Sequence, residues 1–357
     1  MHIAFFGSSL VSAYWNGAAT YYRGIIRALS ERGHTTTFYE PDAFERQAHR
    51  DMDDPDWAEV VVYEATEDAV YRQLEAAAGA DLVVKASGVG VFDELLEREV
   101  LRLQSPRTLV AFWDVDAPAT LERVDGDAAD AARPLIPRYD LVLTYGGGPP
   151  VVEAYRALGA KDCVPIYNAL DPTTHHPVAP DPRFEGGLGL LANRLPDRED
   201  RILDFFYGAA ERLPDETFLL GGSGWHENVP DLGNVRTLGH VPVPDHNTFN
   251  CTPRAVLNVS RESMARTGYS PATRVFEAAG AGACLISDAW EGMDLFLEPG
   301  REVLLASDGA EVAEHLAALT PARAQEIGEA ALRRMLAEHT YAHRAAVLED
   351  VLDGVGV

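Results

Sequence analysis

The strongest constraint on this chain is an alternation that runs twice. Short apolar runs alternate with stretches of helical periodicity, first from His2 and again from Leu188, each run ending at Gly, Asp or Pro. Parallel strands need a long crossover between them, so this pattern specifies βαβ units and a doubly wound α/β fold. In the first half, His2–Phe6 reads as a strand, residues 7–17 as a Gly-, Ser- and Asn-rich loop, Ala18–Arg32 as a helix closed by Gly33, and Thr35–Tyr39 as the next strand. Further strands are expected at Val60–Tyr63, Asp81–Lys85, Thr108–Trp113 and Asp140–Thr144. In the second half, strands Leu188–Ala192, Thr217–Gly221, Arg236–Leu238, Ala255–Val259 and Ala283–Ser287 accompany helices near Arg198–Arg212 and over Ala272–Ala281. The Pro-rich segment at 171–187, DPTTHHPVAPDPRFEGG, reads as the linker, dividing the chain into domains 1–172 and 173–339. A last helix, Tyr341–Leu352 within about 340–357, is free to return to the first domain. Two such domains facing a cleft are expected to bind their ligand at the carboxyl ends of the strands.

With 56 acidic against 30 basic residues the formal charge is −26, which repels phosphate backbones and anionic lipid and argues for no nucleic-acid partner, while leaving room for a local basic pocket that takes one small anion. Cys163, Cys251 and Cys284 are widely spaced and read as buried thiols, not as a zinc site or a disulfide framework. No apolar stretch approaches the ~20 residues of a membrane span, and the apolar start lacks a basic flank. A cytoplasmic protein without integral membrane association is the expectation.

Polar residues at the strand ends carry the chemistry. After the first strand, Gly7 and Gly17 permit close backbone approach, while Ser8, Ser9, Asn16 and Thr20 offer hydrogen bonds beside a helix start; an ordinary capped loop is the plain alternative. Asp114 and Asp116 follow the strand TLVAFW at alternate positions, where one could act as a general base or Asp116 could cap the next helix. Gly146, Gly147 and Gly148 precede prolines suited to the first turn of a helix. In the second half, Arg194 follows a strand and Arg198 and Arg201 open a helix, an arrangement fit for a diphosphate unless the arginines are spent on surface ion pairs. Gly221, Gly222, Ser223 and Gly224 form another backbone-lined loop, and a long polar loop runs from Ser260 to Pro271. Glu277 is the odd residue: a carboxylate among Val275, Phe276, Ala278 and Ala279, where an unpartnered charge costs several kcal/mol. An ion pair with Arg274, one helical turn earlier, would explain it structurally.

The run RVFEAAGAGACLISDAWEGMDLFLEPGREVLLA resembles the nucleotide-sugar site of GT-B glycosyltransferases, whose helix bears a Glu that binds the donor ribose. WNGAATYYRG, FWDVDAPATL, LTYGGGP, LNVSRESM, GYSPATRVFEAAGAG and HTYAHRA together resemble the CgeB-like, spore-maturation-type family over nearly the full length. The resemblance implies a GT-B fold and a metal-independent glycosyltransferase of the hexosyltransferase class. Its first domain would receive the acceptor and its second the nucleotide-diphosphate sugar, UDP- or dTDP-linked, as co-substrate without any cofactor. It implies that Glu277 takes the ribose role and that Arg194 and Arg198 face the diphosphate. Gly222, Ser223, Arg261, Gly268, Tyr269, Ser270 and Arg274 would complete the donor site, with Asp114 and Asp116 as catalytic residues. The loop residues Ser8, Ser9, Asn16, Gly17, Thr20, Gly146 and Gly147 would border the acceptor or a phosphate. The acceptor would be a glycan, a protein or a small molecule. Two departures stand out: Tyr269 occupies the place of the first of two Glu residues in retaining enzymes, and Ala18 stands where the family commonly has His. A nucleotide-sugar epimerase or hydrolase, and a non-catalytic nucleotide-sugar-binding protein, therefore remain as alternatives. A dinucleotide oxidoreductase is disfavoured because no glycine cluster has the required spacing.

Overall fold

The computed structural model describes residues 1–14, 16–225 and 227–355. Trp15, which opens the WNGAATYYRG motif, and residues 356 and 357 at the end of the expected last helix lie outside the described residues. The chain divides into two compact units, Met1–Asn168 with the C-terminal helix, and Ala169–Thr340.

The first unit is built on a seven-stranded sheet ordered β3-β2-β1-β4-β5-β6-β7, parallel throughout. Its strands are β1 (His2–Phe6), β2 (Thr35–Asp42), β3 (Glu59–Glu64), β4 (Leu82–Ala86), β5 (Leu109–Asp114), β6 (Leu141–Thr144) and β7 (Cys163–Pro165). Helices α1 (Ala19–Glu31), α2 (Glu67–Ala76), α3 (Asp93–Glu99), α4 (Ala117–Gly126) and α5 (Gly148–Ala157) connect them. Central strands such as LVVKA and LVAFWD are buried along almost their whole length, as a parallel sheet covered on both faces requires.

The second unit repeats the plan with six parallel strands in the order β10-β9-β8-β11-β12-β13. These are β8 (Leu188–Leu191), β9 (Phe218–Gly221), β10 (Val235–Gly239), β11 (Ala255–Asn258), β12 (Leu285–Asp288) and β13 (Leu304–Ala306). Between β8 and β9 the chain forms α6 (Glu199–Ile202), a π-helical turn over Leu203–Tyr207, and α7 (Gly208–Arg212). Phe205, Phe206 and Tyr207 in that turn are all buried. The remaining helices are α8 (His246–Cys251), α9 (Glu262–Thr267), α10 (Thr273–Gly280), α11 (Gly309–Ala318) and α12 (Pro321–Glu338). The expected long loop from Ser260 to Pro271 is thus corrected: its middle is helix α9.

Helix α13 (Tyr341–Val355) belongs to the first unit and packs on α1. The site of contact is cut to size at Gly24, where an added Cβ would collide with the Tyr341 ring. Tyr341 donates its hydroxyl to Asn168 Oδ1 at 3.1 Å, and Arg344 reaches the carbonyls of Tyr167 and Asn168 at 3.2 and 3.2 Å. Glu349 closes the far end by pairing with Arg32 and with His34 at 2.8 Å. No helix among the described residues is long and apolar enough to cross a membrane.

Candidate functional site

In the second unit β8 and β11 are neighbours where the strand order reverses, the place at which doubly wound sheets bind ligands outside their carboxyl ends. After β8, the Asn193 side chain accepts the Ser223 N–H at 3.0 Å, and the Trp225 indole donates to the Ala192 carbonyl at 2.6 Å. Gly222, at φ +129°, lies so close that a Cβ would strike the Ala192 carbonyl oxygen. Arg194 is spent on this loop: it donates to the Gly224 carbonyl at 3.3 Å and the Glu227 carbonyl at 2.5 Å, pairs with Glu199, and lies 5.6 Å over the Trp225 ring. Gly222, exposed Ser223 and Arg194 therefore form one rigid hairpin of loops beside the strand ends.

Two other guanidiniums have different surroundings. Arg198 donates once, to the Asn193 carbonyl at 2.8 Å, and its buried Nε has no partner. Arg274, in the first turn of α10, makes no hydrogen bond and no ion pair within 4.0 Å among the described residues; Arg198 is near enough to repel it. Burial and that repulsion push the Arg274 guanidinium down to about 10, and burial lowers Arg198. Arg261, by contrast, is held by Asp197 at 2.5 Å.

Helix α10 opens beside them without a side-chain cap. Gly268 takes φ +73°, where a Cβ would meet the Glu291 carbonyl oxygen, and Tyr269 takes φ +49°. The Tyr269 N–H donates to that carbonyl at 2.6 Å and its hydroxyl to the Glu291 carboxylate at 3.1 Å, which raises its pKa. Ser270 follows, 2% exposed, its hydroxyl without a partner. An uncapped helix start, a buried unspent hydroxyl and two mutually repelling guanidiniums are the kinds of group by which proteins hold anions.

One turn along α10 the Glu277 carboxylate is 21% exposed and accepts no hydrogen bond among the described residues. No ion pair within 4.0 Å joins it to Arg274. The basic residue within 4.0 Å of it among the described residues is instead His175, whose Nε2 lies 4.0 Å from Glu277 Oε1. His246 of α8 also feels the Glu277 charge, but its Nε2 is bonded to the Val241 carbonyl at 3.1 Å and burial pushes its pKa down. Buried Asn250, on the same helix, has an unpartnered side-chain oxygen. Nothing in the local sequence marks His175, His246 or Asn250, because the linker and α8 reach α10 only through tertiary packing.

In the first unit, Asp114 is fully buried at the end of β5. It accepts from Ser87 Oγ at 2.7 Å, the Asp116 N–H at 3.0 Å, Thr120 Oγ1 at 3.1 Å and the Tyr155 hydroxyl. Burial raises its pKa despite these donors. Asp116, half-buried, begins α4 without a side-chain cap bond. The loop after β1 is tied inward: Ser8 Oγ donates to Asn16 Oδ1 at 2.8 Å, Ser9 Oγ to Glu40 at 2.9 Å, and Asn16 Nδ2 to the Ser9 carbonyl at 2.7 Å. Gly17 is exposed and Thr20 half-buried beside it. Gly146 is buried, and Gly147, at φ +93°, forms the start of α5.

Residues 198–350 match the family model described as Glycosyl transferase-like. This part of the chain is thus similar to glycosyl transferases. Among solved structures, sucrose-phosphate synthase from Thermosynechococcus elongatus is similar at 15% identity, with a TM-score of 0.71 and 99% of each chain covered. Anabaena HepE, solved with UDP and glucose, is similar at 15% identity and TM-score 0.69, covering 99% of this chain and 100% of that one. The DNA-modifying β-glucosyltransferase reaches TM-score 0.64 at 11% identity over the whole of both chains. No curated protein matches the sequence. The fold is GT-B, and Arg198, Arg274, Ser270 and Glu277 lie within the matched segment, with Arg194 just before it.

Proposed function

We propose that this protein transfers a sugar from a nucleotide-diphosphate sugar to a hydroxyl-bearing acceptor, and that the second unit holds the donor. The reading rests on Arg198 and Arg274, two guanidiniums that repel one another beside the uncapped start of α10. Unpaired like charges at a protein's interior edge cost stability, and a diphosphate converts that cost into binding. The same pair would neutralise the leaving diphosphate as it departs, without a metal. Glu277, an open acceptor one turn further along, suits the ribose hydroxyls, and the HepE neighbour solved with UDP supports the ligand class. Arg194 and Arg261 serve by holding the loops, while the backbone of Gly222, Ser223, Gly268 and Tyr269 shapes the rim and Ser270 supplies one hydroxyl.

The first unit would receive the acceptor. Its hydroxyl oxygen attacks the anomeric carbon, the bond to the diphosphate oxygen breaks with its electron pair leaving on the diphosphate, and the hydroxyl proton passes to a base. Asp116 is the base we assign; Asp114, saturated by four donors, orients it through the Asp116 N–H.

The test is release of nucleoside diphosphate from UDP- and dTDP-sugars with glycan, protein and small-molecule acceptors. Release that depends on an acceptor, with the sugar recovered on it, is the expected result. Release in water alone would make the protein a hydrolase, and binding without release would make it a non-catalytic binder. Asp116→Asn should lower kcat by roughly 10²–10⁴-fold; turnover within a few-fold of wild type would end the base assignment.

A further inference from the structure

We propose that His175, in the linker between the two α/β sheets, is a specificity-determining residue that reads the sugar of the donor nucleoside together with Glu277, so that the protein selects ribonucleoside over deoxyribonucleoside diphosphates. The inference rests on the donor-site reading above and goes beyond it by assigning the sugar class of the nucleotide to a residue outside the segment similar to glycosyl transferases.

The linker does not cross open solvent. Asp171 accepts the Thr173 N–H at 2.9 Å, Asn247 Nδ2 of α8 donates to the Thr174 carbonyl at 2.8 Å, and His175 is 8% exposed. The His175 carbonyl lies against Gly280 of α10, where a Cβ would approach it to 3.3 Å. Thr174 Oγ1 is 3.0 Å from His175 Nδ1 and donates its own proton to the Asp171 carbonyl at 3.1 Å. A hydroxyl has one proton to give, so Nδ1 carries the imidazole proton and donates it to Thr174 Oγ1. In the neutral ring Nε2 is then a bare acceptor.

That acceptor faces another. Nε2 and Glu277 Oε1 are 4.0 Å apart, too far for a direct hydrogen bond, and neither has a proton to share while the imidazole is neutral. The separation suits a pair of neighbouring hydroxyls, since two oxygens roughly 2.8 Å apart can each donate a bond of about 2.8 Å to acceptors set somewhat wider apart. A vicinal diol supplies two protons, one for each acceptor. A deoxyribose lacks one of them and leaves an acceptor desolvated and unmatched, a loss to which polar sites are most sensitive. His246 cannot replace His175, because its Nε2 is committed to the Val241 carbonyl.

The experiment is a calorimetric titration at pH 8. It uses UDP, 2′-deoxy-UDP and 3′-deoxy-UDP with the wild type, His175→Ala, His175→Gln and Glu277→Ala. The wild type should bind UDP about 10-fold or more tightly than at least one deoxy analogue. In His175→Ala that ratio should fall to within about 2-fold, through weaker binding of UDP and unchanged binding of the analogue. His175→Gln, whose side-chain amide carries an acceptor oxygen, should recover part of the ratio and serves as the second variant if alanine unfolds the linker. An unchanged ribo-to-deoxy ratio in both His175 variants, with UDP still weakened by Glu277→Ala, overturns the role of His175 alone. UDP affinity unaffected by Glu277→Ala overturns the donor-site reading and this inference with it.

Discussion

Arg274 carries a charge that no carboxylate within 4.0 Å balances among the described residues. Its guanidinium is pushed down to about 10 by burial and by Arg198, so the charged form is disfavoured in the folded state. A base whose folded pKa lies below its unfolded one costs stability at every pH where it stays charged, and the cost fades as pH rises past that folded value. Arg274→Met should therefore stabilise the ligand-free protein, by about 1 kcal/mol or roughly 2–4 °C in a thermal scan of a unit this size. The same change should weaken nucleotide binding, and a variant less stable than wild type would remove the argument. Asp114 makes the opposite case. Its substitution by Ala strands the hydroxyls of Ser87, Thr120 and Tyr155, and should cost about 3–5 kcal/mol in denaturant unfolding. Glu277 is legible in the sequence because a carboxylate in an apolar helix is an anomaly. The local spacing of Arg194, Arg198 and Arg201 shows that cations gather there, but not which are spent. Arg194 goes to Glu199, and Arg201 to the buried Asp288 at 2.7 Å.

At the scale of elements, the docking of α13 on α1 depends on a missing side chain. Gly24 to Ala would ordinarily favour a helix by up to about 1 kcal/mol, but here the added methyl meets the Tyr341 ring. Gly24→Ala should thus destabilise, by about 1–3 kcal/mol, and expose Tyr341–Val355 to hydrogen exchange. Acid should loosen the same helix. Its partners Arg32 and His34 lower Glu349 to about 2, so this contribution is complete above the ordinary carboxylate range and is lost as pH falls toward that value. The cluster is partly exposed and the effect correspondingly small, seen as faster exchange in α13 with the rest of the unit unchanged. Strands β1 to β6 and β8 to β12 were readable from their apolar runs, whereas the three-residue β7 and β13 were too short to give one. Helix α9 was not, because SRESMARTG is short and polar and its backbone turns only in the context of Asp197, whose carbonyl accepts the Glu262 N–H at 2.9 Å.

At the scale of the molecule, the strand order 3-2-1-4-5-6 occurs twice, with one more strand in the first sheet. This duplication is visible in the alternation of the sequence, since each sheet demands its own series of crossovers. What the alternation cannot carry is contact between distant segments: the linker's His175 beside α10, or α13 on α1. Both depend on packing between residues more than 100 positions apart, as the 4.0 Å approach of His175 to Glu277 shows. On the proposed reading the net charge of −26 also gives the arginine pair its meaning, because an anionic donor would be repelled by the protein generally and admitted where positive charge is left unpaired.

The central claim is that this unpaired charge at the start of α10 is the diphosphate site. A calorimetric titration of UDP into the wild type and into the Arg198→Ala/Arg274→Ala double variant tests it most directly, with unfolding midpoints measured alongside. The account predicts binding to the wild type and a loss of at least about 10-fold in the double variant, whose ligand-free midpoint is equal or higher. Equal affinity in the two proteins would contradict it.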